Sequence, residues 1–143
     1  MRTSHEALLV VHRPAYRSAA PEFLVLLRAP AGQGYWHLVS GGVESGEEPR
    51  EAALRELEEE TGLARPPGFE PLPLELGYRQ PTGGAWITVH PFAVAAAAGW
   101  EPVLNEEHVE YRWCSEDAAV ELLEYPEPRK ALHHVAQKLR AGP

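Results

Sequence analysis

Three glutamates in one short stretch, Glu56, Glu59 and Glu60, have the residue type and the spacing of a metal-binding helix face. At about 100° of rotation per helical residue, their side chains share an arc of about 100°. Two carboxylates about 5 Å apart repel by about 3 kcal/mol at an effective dielectric of about 20. Protonation of one of them, a neighbouring arginine or a bound divalent cation would relieve this repulsion. Because oxygen ligands without neighbouring cysteine or histidine favour Mg²⁺ or Mn²⁺ over zinc, a magnesium-type site is predicted.

The helix that carries these glutamates is predicted over residues 49–61, which read PREAALRELEEET. Proline is favoured in the first helical turn, and Gly62 stands where a left-handed cap is expected. On the same helical wheel Leu57 lies on the flank that would pack into a core. Glu51 stands one turn before Arg55, where an ion pair between positions i and i+4 can form.

The segment before the helix strengthens the prediction of a site. Gly41-Gly42 lets the backbone approach a ligand closely, and the Gly41 carbonyl could serve as a further metal ligand. Such a centre would bind a polyphosphate through bridging metal ions, which could also lower the pKa of a bound water. A glutamate-rich helix is more often only a solvated face, but the glycines, the arginine and the spacing together favour a metal centre.

The remaining pattern predicts a mixed sheet covered by helices, an α/β (α+β) fold in one domain over residues 1–143. Proline-rich residues 64–73 are expected to form a loop, and Ser115 is expected to begin a helix with a capping box. The last helix is predicted over residues 129–140, from its apolar stripe. Strand-like runs cover residues 6–12, 22–28, 35–40, 74–79, 86–98 and 109–114.

Composition excludes several classes of protein. The net charge of −8 argues against a non-specific nucleic-acid binder, which needs a basic face. A single cysteine, Cys114, excludes an internal disulfide and is expected to be a small buried apolar residue. No apolar run approaches the roughly 20 residues of a membrane helix or forms a signal peptide, so a cytoplasmic protein without membrane contact is expected.

The spacing of these residues resembles the signature of the Nudix hydrolase family. That signature is G, five residues, E, seven residues, then REUxEExGU, where U is bulky and aliphatic. This chain has Gly41, Glu47 and then RELEEETGL over residues 55–63, so every fixed position matches. The resemblance implies a Nudix fold, a mixed β-sheet sandwiched between α-helices, and hydrolysis of a nucleoside diphosphate linked to another group.

The resemblance also implies roles for individual residues. Arg55, paired with Glu47, would orient the carboxylates, and Arg55 and Glu59 would count among the catalytic residues. Mg²⁺ is the implied cofactor, and Mn²⁺ could substitute. The implied metal ligands are Glu56, Glu59, Glu60 and the Gly41 carbonyl.

A second, more local resemblance concerns Asn105-Glu106-Glu107-His108. It is similar to a segment of bacterial dATP and dihydroneopterin-triphosphate pyrophosphohydrolases, in which a glutamate just before the histidine is a metal ligand or base. By that likeness Glu107 is a metal ligand and catalytic residue, with Glu106 as the competitor. His108 is expected to be a hydrogen-bonding residue at the end of a strand.

Three residues are candidates for substrate binding: Arg28 for phosphate, Trp36 for base stacking and Arg79 from a flexible loop. Each has an ordinary alternative, because surface arginines and core tryptophans are common. His37 is expected to point to the face opposite Trp36.

The resulting prediction is a Mg²⁺-dependent pyrophosphohydrolase that cleaves a nucleoside or pteridine triphosphate to a monophosphate and pyrophosphate. Hydrolysis of ADP-ribose or a dinucleoside polyphosphate is the alternative within the enzymes. A nucleotide-binding regulatory module is the alternative outside them. The expected partner is a small nucleotide substrate, with no nucleic acid or membrane, and a homodimer is compatible with the family.

Overall fold

The computed structural model describes residues 2–16, 18 and 20–142. These described residues form eight strands and three α-helices. The strands are β1 (Arg2–Pro14), β2 (Pro21–Arg28), β3 (Trp36–His37), β4 (Val39–Glu44), β5 (Gly68–Pro71), β6 (Leu76–Arg79), β7 (Trp86–Ala95) and β8 (His108–Cys114). The helices are α1 (Pro49–Thr61), α2 (Glu116–Leu122) and α3 (Pro126–Ala141).

The strands form one mixed sheet around β1. This strand pairs in parallel with β7, from His5 opposite Thr88 to His12 opposite Ala95. It also pairs antiparallel with β2 and with β4. The sheet is extended by β3 and β8, which both pair with β2, and by β5 and β6, which both pair with β7. A continuous apolar run suits β1 for this position, because both of its faces are covered.

Each face of the sheet carries its own apolar core. Side chains alternate between the faces, so Leu8 and Val10 pack on one side, together with Leu132 and Val135 of α3. Leu9 and Val11 pack on the other side with Leu57 of α1. The sheet is therefore sandwiched between α1 and the α2–α3 pair, which confirms the predicted fold class and the buried side of α1.

Capping fixes both ends of α1. The Glu48 side chain accepts a backbone N–H of the first turn, and Glu51 accepts the Glu48 N–H at 2.8 Å, which makes a reciprocal capping box. Gly62 ends the helix at φ 82°, in the left-handed region that glycine adopts without strain. Helix α1 thus begins and ends where the sequence predicts.

Other boundaries differ from those expected. The proline-rich segment expected to be a loop contains β5, which pairs with β7 at the edge of the sheet, where prolines are tolerated. Strand β4 continues through Gly41-Gly42 to Glu44, and α3 begins at Pro126. The Ser115 hydroxyl does cap α2 by accepting the Ala118 N–H, but alanine at that position cannot complete a capping box.

In the part of the chain that the structure describes, no helix is long and apolar enough to cross a membrane.

Candidate metal centre and substrate cleft

Three carboxylates from two parts of the fold meet at one end of α1. Glu56 and Glu60 lie one helical turn apart, and Glu107 lies directly before β8. One carboxylate oxygen from each of the three lies within 4.8 Å of the other two. Glu56 and Glu60 are 8% and 2% exposed, whereas Glu107 is exposed, so the cluster opens toward solvent on the Glu107 side.

Burial changes the ionisation of this cluster. Burial raises the pKa of Glu60 to about 10, followed in effect by its hydrogen bond to Glu56 and then by the negative charges of Glu56 and Glu107. Its Oε1 atom is buried and has no hydrogen-bond partner. Burial beside other carboxylates penalises the ionised form of Glu60, and a divalent cation would reverse this penalty by supplying positive charge to the unsatisfied oxygen. The donor set therefore fits a divalent metal with oxygen ligands.

Gly41 provides the space that Glu56 occupies. A β-carbon built on residue 41 would overlap the carboxyl group of Glu56. The side chain of Glu56 therefore lies directly over the backbone of β4 at Gly41. Any larger residue at position 41 would displace Glu56.

Arg55 holds the loop and the helix together. Its Nε donates to Glu47 Oε2 at 2.9 Å and its Nη2 donates to Glu47 Oε1 at 3.0 Å, a bidentate pair. Nη1 donates to Glu56 Oε1 at 2.7 Å, and Nη2 also donates to the Gly42 carbonyl at 3.0 Å. The expected pair with Glu51 does not form, because the carboxylate of that residue caps the helix instead.

Glu59 lies outside the three-carboxylate cluster. Its Oε2 is 3.5 Å from Arg55 Nη1, and its side chain is 51% exposed. The helical wheel put it beside the other two glutamates. With Glu56 at 0°, however, Glu59 falls near 300°, on the solvent edge of their arc. Its role as a ligand or catalytic residue stays a prediction.

A cleft extends from the carboxylates across the sheet. Its inner part, about 580 Å³, is bounded by Gly41, Glu56 and Glu107. Its outer part, about 640 Å³, reaches the start of α3. Both parts are lined by Glu6, Arg28, Gln33, Tyr35, Ser40, Tyr78 and Gln80. The volumes suit a ligand of nucleotide size.

The two candidate arginines both line this cleft. Arg28 lies where the inner and outer parts meet, and its Nε donates to the Gly32 carbonyl at 3.3 Å. Arg79 lines the outer part, is exposed, and donates to the Gly84 carbonyl at 3.1 Å. Arg28 is therefore the better placed of the two to contact a phosphate next to the carboxylates.

Trp36 is not among the residues that line the cleft. Its indole packs against the core on the α2–α3 side and lies under the Arg112 guanidinium, 4.7 Å from its centre. Its neighbour Tyr35 lines both parts of the cleft, and its ring meets Tyr125 edge-on at 5.4 Å. Alternation along an extended segment predicts that Tyr35 and Trp36 point in opposite directions, but not which of the two faces the cleft.

Two histidines near the cleft have lowered pKa values. His37 lines the outer part and is half-buried, and burial lowers its pKa to about 4. Its expected position on the face opposite Trp36 stays a prediction. Burial also lowers the pKa of His108 to about 4. His108 was expected to form hydrogen bonds, but both of its ring nitrogens lack partners, and its Nε2 lies 3.8 Å from Glu60 Oε1. Cys114 is buried, as expected.

The chain is similar to known proteins in sequence and in fold. The family model described as the NUDIX domain matches residues 3–135. The asymmetrical bis(5'-nucleosyl)-tetraphosphatase of Rattus norvegicus is 32% identical over 135 residues, which cover 91% of this chain and 88% of that protein. The octanoyltransferase of Myxococcus xanthus is 35% identical over 117 residues, which cover 76% of this chain. That match spans only 31% of the octanoyltransferase.

Solved structures show the same fold. The dihydroneopterin triphosphate pyrophosphohydrolase of E. coli superposes with a TM-score of 0.81 at 21% identity, over 96% of this chain and 97% of that one. At that identity the likeness establishes the fold alone. Together with the family model and the rat relative, it shows that the chain belongs to the Nudix family and is a hydrolase of phosphoanhydride bonds.

Proposed function

We propose that the protein is a Mg²⁺-dependent pyrophosphohydrolase that cleaves a nucleoside or pteridine triphosphate to a monophosphate and pyrophosphate. The observation that carries the proposal is the buried carboxylate cluster at the inner end of a nucleotide-sized cleft. Glu56 and Glu60, with the Gly41 carbonyl, would hold the metal, and Glu59 could join them by rotating its exposed side chain. Bound there, the cation would neutralise phosphate oxygens and acidify a water molecule.

Different regions of the cleft would bind the phosphate chain and the ring of the substrate. Arg28 stands at the junction and would bind the phosphate chain. Tyr35 and Tyr125 form an aromatic wall in the outer part, where a flat base or pterin ring can pack.

Glu107 is suited to receive the proton from the attacking water. Its backbone N–H donates to Asn105 Oδ1 and its Oε2 accepts from Asn105 Nδ2, both at 3.1 Å, so the carboxylate is held in place. The water oxygen would bond to the α-phosphorus as the bond from that phosphorus to the α–β bridging oxygen breaks. Pyrophosphate leaves, and Glu107 holds the proton.

Hydrolysis of a dinucleoside polyphosphate is the second candidate. It is favoured by the rat tetraphosphatase, which matches this chain over most of both lengths. Octanoyl transfer is not proposed, because the match to that enzyme covers less than a third of it.

The test is phosphate release in Mg²⁺ from dATP, the other deoxynucleoside triphosphates, dihydroneopterin triphosphate, ADP-ribose and a dinucleoside tetraphosphate. Each reaction is coupled either to inorganic pyrophosphatase or to alkaline phosphatase. A signal from a triphosphate that requires pyrophosphatase supports the proposal. A signal from the dinucleotide or ADP-ribose alone would contradict it in favour of the second class. Glu60→Gln should abolish the signal, and Glu58→Gln, an exposed glutamate of the same helix, should not.

A further inference from the structure

Gln33 has a backbone conformation that disfavours its side chain. It ends the single 3₁₀ turn Pro30–Gly32 at φ 77° and ψ 2°, in the left-handed region. Within residues 2–16, 18 and 20–142 it is the one non-glycine residue with a positive φ. Glycine takes this conformation freely, whereas a residue with a β-carbon takes it at a cost in free energy. Such outliers cluster at ligand-binding sites, where the side chain has a use that offsets the cost.

The loop that carries Gln33, residues 29–35, is fixed to the proposed metal centre. The Ala29 N–H donates to the Glu107 carbonyl at 2.9 Å. The two ends of the loop are joined by the Arg28 N–H, which donates to the Tyr35 carbonyl at 3.0 Å. The position of Gln33 relative to Glu107 and Arg28 is therefore set by main-chain hydrogen bonds.

Gln33 lines both the inner and the outer part of the cleft, and it is exposed there. Its carboxamide offers two N–H donors and one carbonyl acceptor, a set that matches the polar edge of a base or a sugar hydroxyl. We infer that Gln33 is a specificity-determining residue that hydrogen-bonds the nucleoside part of the substrate, between the phosphates and the aromatic wall. This inference rests on the proposed function, because it assumes a nucleotide in the cleft.

A purely structural role for Gln33 leads to a different expectation. The main-chain bond that closes the turn, from the Gln33 N–H to the Pro30 carbonyl at 3.0 Å, does not use the side chain. Glycine at this position would keep that bond and relieve the strain. Gln33→Gly therefore removes the carboxamide without removing the turn, and Gln33→Asn keeps a carboxamide in a residue that tolerates the left-handed region.

The experiment measures binding by calorimetry in Mg²⁺, with two ligands. One is the α,β-methylene analogue of the triphosphate that is hydrolysed fastest, and the other is inorganic pyrophosphate. For Gln33→Gly we expect the analogue to bind about 3- to 10-fold more weakly, the loss of one or two hydrogen bonds, with pyrophosphate affinity unchanged. Gln33→Asn should fall between, and Gln137→Ala, an exposed glutamine of α3, should match the wild type. Thermal midpoints should not fall in either Gln33 variant.

Two results would overturn the inference. Wild-type affinity of Gln33→Gly for the analogue would show that the carboxamide makes no contact with it. Equal losses for the analogue and pyrophosphate, with a lowered thermal midpoint, would show that Gln33 only supports the loop. Failure of the proposed function looks different, since the wild type would then hydrolyse no triphosphate in the panel, whatever the Gln33 variants bind.

Discussion

The carboxyl group of Glu56 occupies the space that a side chain at Gly41 would fill. A methyl group there meets the carboxyl end of the Glu56 side chain, so Glu56 must leave its position to make room for it. We expect Gly41→Ala to retain the fold and to lower kcat by at least about 100-fold, since a misplacement of about 1 Å can have that effect.

The matched measurement is a double-mutant cycle with Glu56→Gln. If Gly41 acts by making room for Glu56, the two losses in kcat are strongly non-additive. Additive losses would show that Gly41 contributes in some other way.

The Arg55–Glu47 pair is expected to contribute both to stability and to catalysis. The two parallel hydrogen bonds raise the pKa of Arg55 and lower the pKa of Glu47, each chiefly through the hydrogen bond to the other. Lysine keeps the positive charge but cannot form the bidentate pair with Glu47. Arg55→Lys should therefore lower the free energy of unfolding by about 1–2 kcal/mol and kcat by about 10-fold or more. Urea unfolding and steady-state kinetics measure the two effects. Unchanged values for both would mean that a point charge is sufficient.

Glu107 and Glu106 are neighbours with different surroundings. Both are exposed, but only Glu107 belongs to the carboxylate cluster among the described residues. Glu107→Gln should lower kcat about 100-fold or more, because the proton of the attacking water then has no carboxylate to receive it. Glu106→Gln should leave the rate as it is. The reverse pattern would assign the base to Glu106.

The raised pKa of Glu60 predicts how the metal-free protein responds to pH. In the unfolded chain this carboxyl ionises near its ordinary value of 4.5, whereas in the fold its pKa is about 10. Between these values the unfolded state has released the proton that the folded state keeps, so the Glu60 contribution to stability falls as pH rises.

This prediction is measured by urea unfolding with a chelator present, from pH 6 to pH 9. Glu60→Gln should show a flatter decline than the wild type over this range. Because a metal requires the ionised carboxyl, Mg²⁺ should stabilise the wild type more at pH 9 than at pH 6. A wild-type curve parallel to that of Glu60→Gln would contradict the assigned pKa direction.

The closeness of Glu56 and Glu60 could be predicted because it depends on helical spacing alone. Glu56 and Glu60 lie on one face of any helix that begins near Pro49, and the capping residues and Gly62 fix where it begins and ends. Glu107 depended on a resemblance, since nothing in its local pattern places it beside α1. Long-range pairing of β8 with β2 does that.

The aromatic wall of Tyr35 and Tyr125 could not be predicted from the sequence, for a related reason. Whether Tyr35 or Trp36 faces the cleft depends on the register of β3 against β2, which puts Trp36 opposite Leu27. A shift of one residue would exchange the two faces. The ring nitrogens of His108 likewise lack hydrogen-bond partners because the residue is buried next to Glu60. Only the assembled sheet brings these two residues together.

The central claim is that Glu56 and Glu60, with the Gly41 carbonyl, bind a divalent cation that hydrolysis requires. The most direct measurement is a calorimetric titration of the wild type, Glu60→Gln and Glu58→Gln with Mg²⁺ and Mn²⁺, with phosphoanhydride hydrolysis assayed on the same samples. Metal binding and hydrolysis should both persist in the wild type and Glu58→Gln, and both should be lost in Glu60→Gln. Hydrolysis by Glu60→Gln at the wild-type rate, or hydrolysis that survives a chelator, would contradict the account.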